Sequence, residues 1–335
     1  ADALANLRSG AHDRDLVVSY HDALLRAAGF VERQQPDLVL RFGGTPTSKA
    51  LNLALKAWRA PQLLVDDGDG WNVPAGEGIE RANADPVAFV EATAEAARGE
   101  GSGDPAWLEA WQAADAVAAE ALQAWEATLS EPFEGATARA LEVALPDDTV
   151  VLVGNSMPVR DLDTFLPGSA RPRRYLGNRG ANGIDGLIAT ALGLRASQPH
   201  PVVLVLGDLS FLHDLTSIAA AQRLGLELLI VLVDNDGGGI CSFLPQGTAA
   251  RPDLGLPQHY EALFGTPHGL DLRPIATALG ATHRRVGEGD LARGVGACLG
   301  RPGVTVLELN TERGSNVELH REAFAAVERA LASDA

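Results

Sequence analysis

The 335-residue sequence predicts an α/β protein with two parallel sheets flanked by helices. The main observation is a pair of continuous apolar runs, VVLVL (202–206) and LLIVLV (228–233). Strands covered by helices on both faces read in this way, without polar and apolar residues alternating. A second observation is the repeated order of strand, glycine turn, helix and strand, which is typical of parallel α/β units. At about 150 residues per domain, the length fits two domains.

Residues 1–98 contain the first α/β unit. DLVLRFGG (37–44) predicts a strand ending in a glycine turn, and PQLLVDDG (61–68) predicts a second strand. Between them, TSKALNLALKAW (47–58) has apolar residues at helical spacing. Residues 99–134 open with the linker composition GEGSGDP and continue as an Ala- and Glu-rich helix. We therefore expect a domain over 1–98 and a helical linker over 99–134.

Residues 135–335 predict a second α/β domain. Its helices are expected within ANGIDGLIATALGL (181–194) and SFLHDLTSIAAAQRL (210–224). Its strands are expected within DDTVVLVGNS (147–156), HPVVLVLGD (200–208), LELLIVLVDN (226–235) and GVTVLELNT (303–311).

Composition excludes several classes of function. The formal net charge is −17, from 44 acidic and 27 basic residues, and a field of that sign repels nucleic acid and anionic membranes. No run of about 18 apolar residues is present, so no membrane span is expected. Cys241 and Cys298 lie far apart, which argues against a disulfide framework and suits a reducing cytoplasm.

Two predicted strands end in side chains that carry oxygen. Asp208 follows VVLVLG and Asn235 follows LLIVLVD, and ligands bind beyond the carboxyl ends of such strands. The single helix of about 14 residues between them can return the chain to a neighbouring strand. With the carbonyl of Gly237, the two side chains would form an all-oxygen set that suits Mg²⁺ and a diphosphate. Gly207 and Gly237–Gly239 would let the backbone turn and approach that ligand. The alternative is a simple turn and helix cap.

Longer motifs resemble a known family. The thiamine diphosphate motif is a Gly-Asp pair followed about 25 to 30 residues later by two asparagines. GDLSF resembles its start, and Asn235, 27 positions after Asp208, resembles its end, with Asp234 in place of the first asparagine. GNSMPVRDLD (154–163), GNRGANGIDGLIATALG (177–193) and NDGGGICSFLPQ (235–246) narrow the resemblance. Together they resemble the 2-succinyl-5-enolpyruvyl-6-hydroxy-3-cyclohexene-1-carboxylate synthases of the menaquinone pathway. RFGGTPTSKALN (41–52) and VDDGDGWNVP (65–74) extend it into the first segment.

The resemblance implies an architecture and a reaction. Residues 1–98 would be an N-terminally truncated middle (transhydrogenase-like) domain, and 135–335 the domain that binds thiamine diphosphate and Mg²⁺ or Mn²⁺. The implied reaction is decarboxylation of 2-oxoglutarate, followed by 1,4-addition of the succinyl carbanion to isochorismate. The cofactor provides the electron sink, and the protein orients the reactants. The family assembles its site between subunits, which implies a homodimer or homotetramer.

Site residues also follow from the resemblance. Ile184 would be wedged under the bent cofactor, and the arginines would bind substrate carboxylates through their planar guanidinium groups. Two residues depart from the family pattern: Ala50, which follows Lys49, and Cys241. The implied substrate-binding residues are Lys49, Ser156, Arg160, Arg179 and Leu244; the cofactor-binding residues are Asn155, Ile184, Gly207, Leu209, Ser210, Gly238 and Ile240; and the metal ligands are Asp208, Asn235 and Gly237.

No catalytic residue is assigned within the chain. In this superfamily the activating glutamate lies on an N-terminal pyrimidine-binding domain, which the resemblance does not include. We therefore expect a C-terminal fragment that cannot turn over alone. Two alternatives are another thiamine diphosphate decarboxylase or carboligase, and a non-catalytic binding module.

Overall fold

The protein forms two sheets in which every described pairing is parallel. This computed structural model describes residues 1–68, 78–98, 103–247, 259–286 and 290–333. The strands are β1 (Val39–Phe42), β2 (Gln62–Asp66), β3 (Ile79–Asn83), β4 (Val150–Val153), β5 (Arg174–Gly177), β6 (Val202–Gly207), β7 (Leu228–Asp234), β8 (Thr282–Val286) and β9 (Val304–Asn310). One sheet has the order β1-β2-β3 and the other β5-β4-β6-β7-β9-β8. The predicted α/β class is confirmed.

Helices lie in most of the described connections between successive strands. They are α1 (His21–Leu24), α2 (Ala28–Arg33), α3 (Lys49–Trp58), α4 (Pro86–Ala96), α5 (Pro105–Glu126), α6 (Ala136–Ala144), α7 (Met157–Phe165), α8 (Leu187–Ser197), α9 (Asp208–Asp214), α10 (Ser217–Leu224), α11 (Leu272–Ala278), α12 (Leu291–Cys298) and α13 (Arg313–Ser333). Short turns of 3₁₀ helix follow β7 at Gly239–Phe243 and Pro245–Gly247, and a π-helical turn spans Glu261–Gly265. Among the described helices, none combines the length and apolar character that crossing a bilayer requires.

The six-stranded sheet is covered on both faces. Alternate residues of β6 enter different cores, with Val203 and Val205 in one and Leu204 and Leu206 in the other. Strands β4 and β7 are buried throughout, whereas the edge strands β5 and β8 are partly exposed. This burial explains why the central strands read as unbroken apolar runs.

The helix predicted from SFLHDLTSIAAAQRL is divided in two. Helix α9 begins directly at Asp208 and ends at Asp214, and α10 begins at Ser217. The Asp214 carboxylate accepts hydrogen bonds from Ser217 Oγ at 2.6 Å and from the Ala189 N–H at 2.8 Å. A side chain that bonds nearby backbone and hydroxyl groups competes with helix continuation, so the single-helix prediction was wrong. Strands β3, β5 and β8 and several helices, among them α6, α7, α11, α12 and α13, were not predicted.

The predicted division into domains at 98 and 134 stays a prediction. One hydrophobic cluster runs from Ala50 and Ala54 of α3 to Val151 of β4, so the two sheets share packed helices. In the predicted linker, Asp115 of α5 accepts the backbone N–H groups of Ser19 and Tyr20 at 3.0 and 2.7 Å. The stretches VDDGDGWNVP and GEGSGDP lie partly outside the described residues.

A buried ion pair fastens the N-terminal segment to α7. The side chains of Arg8 and Asp163 are 1% and 2% exposed, and Arg8 Nη2 lies 2.8 Å from Asp163 Oδ1. Asp163 Oδ1 also accepts the Ala3 N–H at 2.9 Å. Burial acts to raise the pKa of Asp163, but contacts with His21 and Arg8 outweigh it and lower the pKa to about 2.

Asp163→Ala should destabilise the fold by about 3–5 kcal/mol, because it leaves the buried Arg8 guanidinium without its charge partner. Glu95→Ala is the matched control, since it breaks an ion pair with Arg98 whose side chains are 68% and 76% exposed. The control should change the unfolding free energy by less than about 1 kcal/mol. Urea unfolding measures both, and equal effects of the two substitutions would contradict the assignment.

The same pair predicts a pH dependence. The pKa of Asp163 falls from 3.8 to about 2 on folding, which corresponds to about 2 kcal/mol. This stabilisation is complete above pH 3.8 and is lost as the pH falls through the folded-state value near 2. The difference in unfolding free energy between wild type and Asp163→Asn should therefore shrink on acidification below pH 4, as urea titrations at several pH values can measure. A constant difference would refute it.

Candidate functional site

The ends of β6 and β7 meet at the carboxyl edge of the six-stranded sheet. Gly207 pairs with Val233, so Asp208 and Asp234 follow side by side. The Gly237 N–H donates to Asp208 Oδ2 at 2.7 Å, which ties the turn after β7 to the end of β6. The two strand ends therefore converge, as the sequence predicts.

Asn235 presents an oxygen that has no partner among the described residues. Its Nδ2 donates to Glu134 Oε1 at 2.8 Å, whereas its Oδ1 is buried and makes no hydrogen bond. The Gly237 carbonyl accepts the Gly239 N–H at 3.0 Å and keeps a second lone pair. A carboxylate, an amide oxygen and a carbonyl oxygen fit the ligand preference of Mg²⁺, so this donor set is compatible with the predicted metal.

Asp234 and His268 lie next to Asp208 at the same strand ends. Ligand atoms of Asp208, Asp234 and His268 lie within 4.8 Å of one another. His268 Nε2 is 3.2 Å from Asp208 Oδ2 and 3.6 Å from Asp234 Oδ1. Burial, together with the charge of Asp208, raises the pKa of Asp234 to about 6. Since two buried carboxylates repel each other, a cation at this edge would be favoured.

The glycine triplet lies where two backbone segments touch. Gly237 has φ +135°, and Cβ atoms added at Gly237 and Gly238 would overlap the carbonyl oxygens of Gly265 and Phe264. The Gly238 N–H donates to the Gly265 carbonyl at 2.7 Å. Glycine is therefore required here by packing against the segment 264–266. Its predicted approach to a diphosphate stays a prediction.

A second group of residues surrounds the end of β4. Asn155 Nδ2 donates to the carbonyls of Asn178 and Gly183 at 2.6 and 2.9 Å, and Asn155 Oδ1 accepts from Arg179. Asn155 thus joins the end of β4 to the loop before α8. Ser156 has φ +70°, which is uncommon for a residue other than glycine and is frequent at functional sites.

Arg160 and Arg179 lie close enough to interact. Arg160 Nη1 donates to the Ser156 carbonyl at 2.5 Å. Burial lowers the pKa of Arg160, and the charge of Arg179 lowers it further. Two neighbouring guanidinium groups repel each other, so an anion between them would be favoured.

Lys49 is exposed at the first residue of α3. That end of α3 is linked to α7, which carries Arg160, through Asp22: the carboxylate accepts from Ser48 Oγ at 2.6 Å and from Thr164 Oγ1 at 3.0 Å. These hydrogen bonds hold the N-terminal end of α3 against α7.

Comparison with known proteins identifies the family. Residues 162–309 match the family described as thiamine pyrophosphate enzyme, C-terminal TPP binding domain. Relatives named 2-succinyl-5-enolpyruvyl-6-hydroxy-3-cyclohexene-1-carboxylate synthase include one from Bacillus velezensis, 40% identical over 98% of this chain and 56% of the relative. A relative from Chloroflexus aurantiacus is 42% identical over 99% of this chain and 56% of the relative. A relative from Geobacillus thermodenitrificans is 40% identical over 99% of this chain and 55% of the relative. Residues 162–309 therefore belong to this C-terminal TPP-binding domain family of the thiamine pyrophosphate enzymes.

This membership confirms the resemblance drawn from the motifs. The chain spans about half the length of the curated synthases it matches, with coverage of 55–56% in these three relatives. The matched thiamine pyrophosphate region lies within the predicted second domain and contains both Asp208 and Asn235.

The other predicted residues of the thiamine pyrophosphate site occupy the same edge of the sheet or its adjoining loops. Gly207 precedes α9, whose first turn contains half-buried Leu209 and buried Ser210. Ile184 lies half-buried in the loop before α8. Ile240 and Leu244, in and after the turn that follows the glycines, are also half-buried. The contacts of these residues with cofactor or substrate stay predictions.

Two residues of the site were missed by sequence reasoning. His268 comes from the segment before α11, and Glu134 comes from the segment before α6. Glu134 Oε1 accepts from Asn235 Nδ2 and, at 3.0 Å, from Thr311 Oγ1. Burial, followed by repulsion from Asp161, raises the pKa of Glu134 to about 7. Because 101 positions separate Glu134 from Asn235, no local motif indicates the pair.

Gly237→Ala should destabilise the protein by more than about 1 kcal/mol, because it adds a Cβ against the Gly265 carbonyl at a positive φ. Gly193→Ala is the matched control, since Gly193 lies within α8 and its added Cβ meets nothing within 4 Å. The control should stabilise the protein by roughly 0.5–1 kcal/mol. Thermal or urea unfolding compares the two, and a neutral Gly237→Ala would contradict the packing role.

Proposed function

We propose that the protein, at full length, decarboxylates 2-oxoglutarate and adds the resulting four-carbon unit to isochorismate. The product would be the compound for which the relatives are named. The observation that carries the proposal is the junction of β6 and β7, where the Gly237 N–H donates to Asp208 Oδ2 and where the buried Asn235 Oδ1 has no hydrogen-bond partner among the described residues. Membership of the thiamine pyrophosphate enzymes supports the cofactor class.

Asp208, Asn235 Oδ1 and the Gly237 carbonyl would hold Mg²⁺ or Mn²⁺. The metal would in turn bind the cofactor diphosphate, since Mg²⁺ is usually held by one or two carboxylates together with phosphate oxygens. When bound, thiamine diphosphate supplies an electron sink for loss of carbon dioxide and for carbon–carbon bond formation. Ile184 would pack against the bent cofactor, and Ile240 would line the cofactor pocket.

The cationic residues would bind the substrates. Both substrates carry two carboxylates, and the chain as a whole has a net charge of −17. Local cations must therefore attract them. Arg160 of α7 and Arg179 of the loop before α8, together with Ser156 at the start of α7, would bind carboxylates by charge-assisted hydrogen bonds. Lys49 would act at the entrance, and Leu244 would form an apolar wall.

We also propose that the complete protein is a cytoplasmic homodimer or homotetramer. The support for a cytoplasmic location is the pair of free cysteines, Cys241 and Cys298. Support for an oligomer comes from the family resemblance, in which two subunits contribute to one site. The expectation that the 335 residues do not turn over alone remains a prediction.

The alternative reaction is decarboxylation of a different 2-oxo acid with the same cofactor. Cys241 lies beside Ile240 and departs from the family pattern. A pocket of different shape at this position would allow a different 2-oxo acid to bind. Consumption of 2-oxoglutarate with isochorismate, measured against consumption of pyruvate, separates the two reactions. Preference for pyruvate would refute the proposed substrates.

Two substitutions in the full-length protein should separate cofactor binding from substrate binding. Asn235→Ala should weaken thiamine diphosphate binding in the presence of Mg²⁺ by at least about 100-fold. Substituting a residue that only hydrogen-bonds a metal ligand typically weakens binding about 10- to 100-fold, and loss of a ligand itself should have a larger effect. Arg160→Ala should leave that affinity unchanged but raise the KM for 2-oxoglutarate or isochorismate roughly 10- to 100-fold.

Arg171→Ala is the control for the arginine substitution, because Arg171 is exposed and pairs with Asp147. Its cofactor affinity and KM values should match the wild type. Calorimetry gives the affinities and steady-state kinetics the KM values. An Arg160→Ala enzyme with unchanged kinetics for both substrates would contradict the carboxylate-binding role.

A further inference from the structure

We propose that Glu134 is a positioning residue, which fixes the side-chain amide of Asn235 so that Oδ1 faces the metal position. The inference rests on the proposed metal role of Asn235. Glu134 itself is not proposed as a ligand. It would act only through the orientation of its neighbour.

The direction of the hydrogen bond carries the inference. Asn235 Nδ2 donates to Glu134 Oε1 at 2.8 Å, so the two atoms are matched as donor and acceptor. Rotating the amide by half a turn would bring Asn235 Oδ1 against a carboxylate oxygen, with an acceptor facing an acceptor. The observed orientation leaves Oδ1 on the other side of the amide, buried and without a partner in the described part of the chain.

A second donor keeps Glu134 Oε1 an acceptor. Thr311 Oγ1 donates to the same oxygen at 3.0 Å, so Oε1 already receives two hydrogen bonds. The positioning role therefore does not depend on the protonation of the carboxyl group. Thr311 follows β9, the sheet neighbour of β7, and its own N–H donates to the Asp234 carbonyl at 2.9 Å.

Packing holds Glu134 in place. Glu134 as a whole is 2% exposed. The preceding residue, Phe133, packs edge-on against Trp125, Phe165 and His320 at centroid distances of 4.8–5.1 Å. A Cβ added at Gly239 would lie 2.5 Å from Asn235 Nδ2, so the absence of a side chain at Gly239 leaves room for this amide.

The test compares two substitutions of similar volume in the full-length protein. Glu134→Gln keeps an acceptor oxygen for Asn235, whereas Glu134→Met fills the space without one. With Mn²⁺ as the probe and thiamine diphosphate present, Glu134→Met should raise the Mn²⁺ Kd about 10- to 100-fold, the range for residues that orient metal ligands. Glu134→Gln should bind Mn²⁺ as the wild type does. Electron paramagnetic resonance measures free Mn²⁺ directly, without reference to turnover.

Glu142→Met is the matched control. Glu142 is a mostly buried glutamate of α6 that pairs with Arg173, so its loss should lower stability and leave the Mn²⁺ Kd unchanged. Circular dichroism and urea unfolding establish that each variant is folded, and Glu134→Ala replaces Glu134→Met if the latter does not fold. Wild-type affinity in the folded Met or Ala variant, or weak binding by Glu134→Gln, would overturn the inference.

The wild type and Asn235→Ala separate this inference from the proposed function. If wild-type protein binds no Mn²⁺ with thiamine diphosphate, or Asn235→Ala binds as well as wild type, the proposed metal site itself is wrong. If Asn235→Ala loses Mn²⁺ while Glu134→Met does not, the metal site stands and only the positioning role fails.

Discussion

The hydrogen bond from the Gly237 N–H to Asp208 Oδ2 is the constraint on which the site depends. It joins positions 29 residues apart, and it can form because β6 and β7 are neighbours in a fixed register. The turn after β7 then runs through positive φ at Asp236 and Gly237. In that conformation the Asp236 carboxylate accepts the backbone N–H groups of His268 and Gly269 at 2.9 and 2.8 Å. One contact between strand ends thus organises a distant segment as well.

Burial decides which strands the sequence reveals. Strands β4, β6 and β7 are central and read as apolar runs, and each was predicted. Strands β3, β5 and β8 lie at sheet edges, where one side of the strand has no partner strand. Their sequences, IERAN, RYLG and THRRV, contain charged residues because they are partly exposed. A search for apolar runs does not find these three strands, since the burial that creates the pattern is missing. The edge strand β1 was predicted because its apolar residues run into the glycine pair Gly43–Gly44.

The same distinction applies to the site. Asp208 and Asn235 follow recognisable strands, so parallel topology alone predicts that they meet. Arg160 and Arg179 carry no such local signal, and only the family resemblance singles them out. Glu134 and His268 reach the site from segments whose own sequences show no strand end or motif. Their roles depend on tertiary packing, which a single sequence does not display.

The electrostatics of the site are set by short distances. The net charge of −17 acts through solvent, where charges more than about 8–10 Å apart are largely screened. Asp208 and Asp234 are both buried, and the raised pKa of Asp234 records the cost of that arrangement. A divalent cation would offset this cost in the folded state alone, because the unfolded chain does not hold the two carboxylates together. Cation binding would therefore stabilise the fold, and the stabilisation would grow with the logarithm of the free cation concentration once that concentration exceeds the Kd. On this reasoning, the acidic strand ends would make the stability of the six-stranded sheet depend on the cation that the proposed function requires.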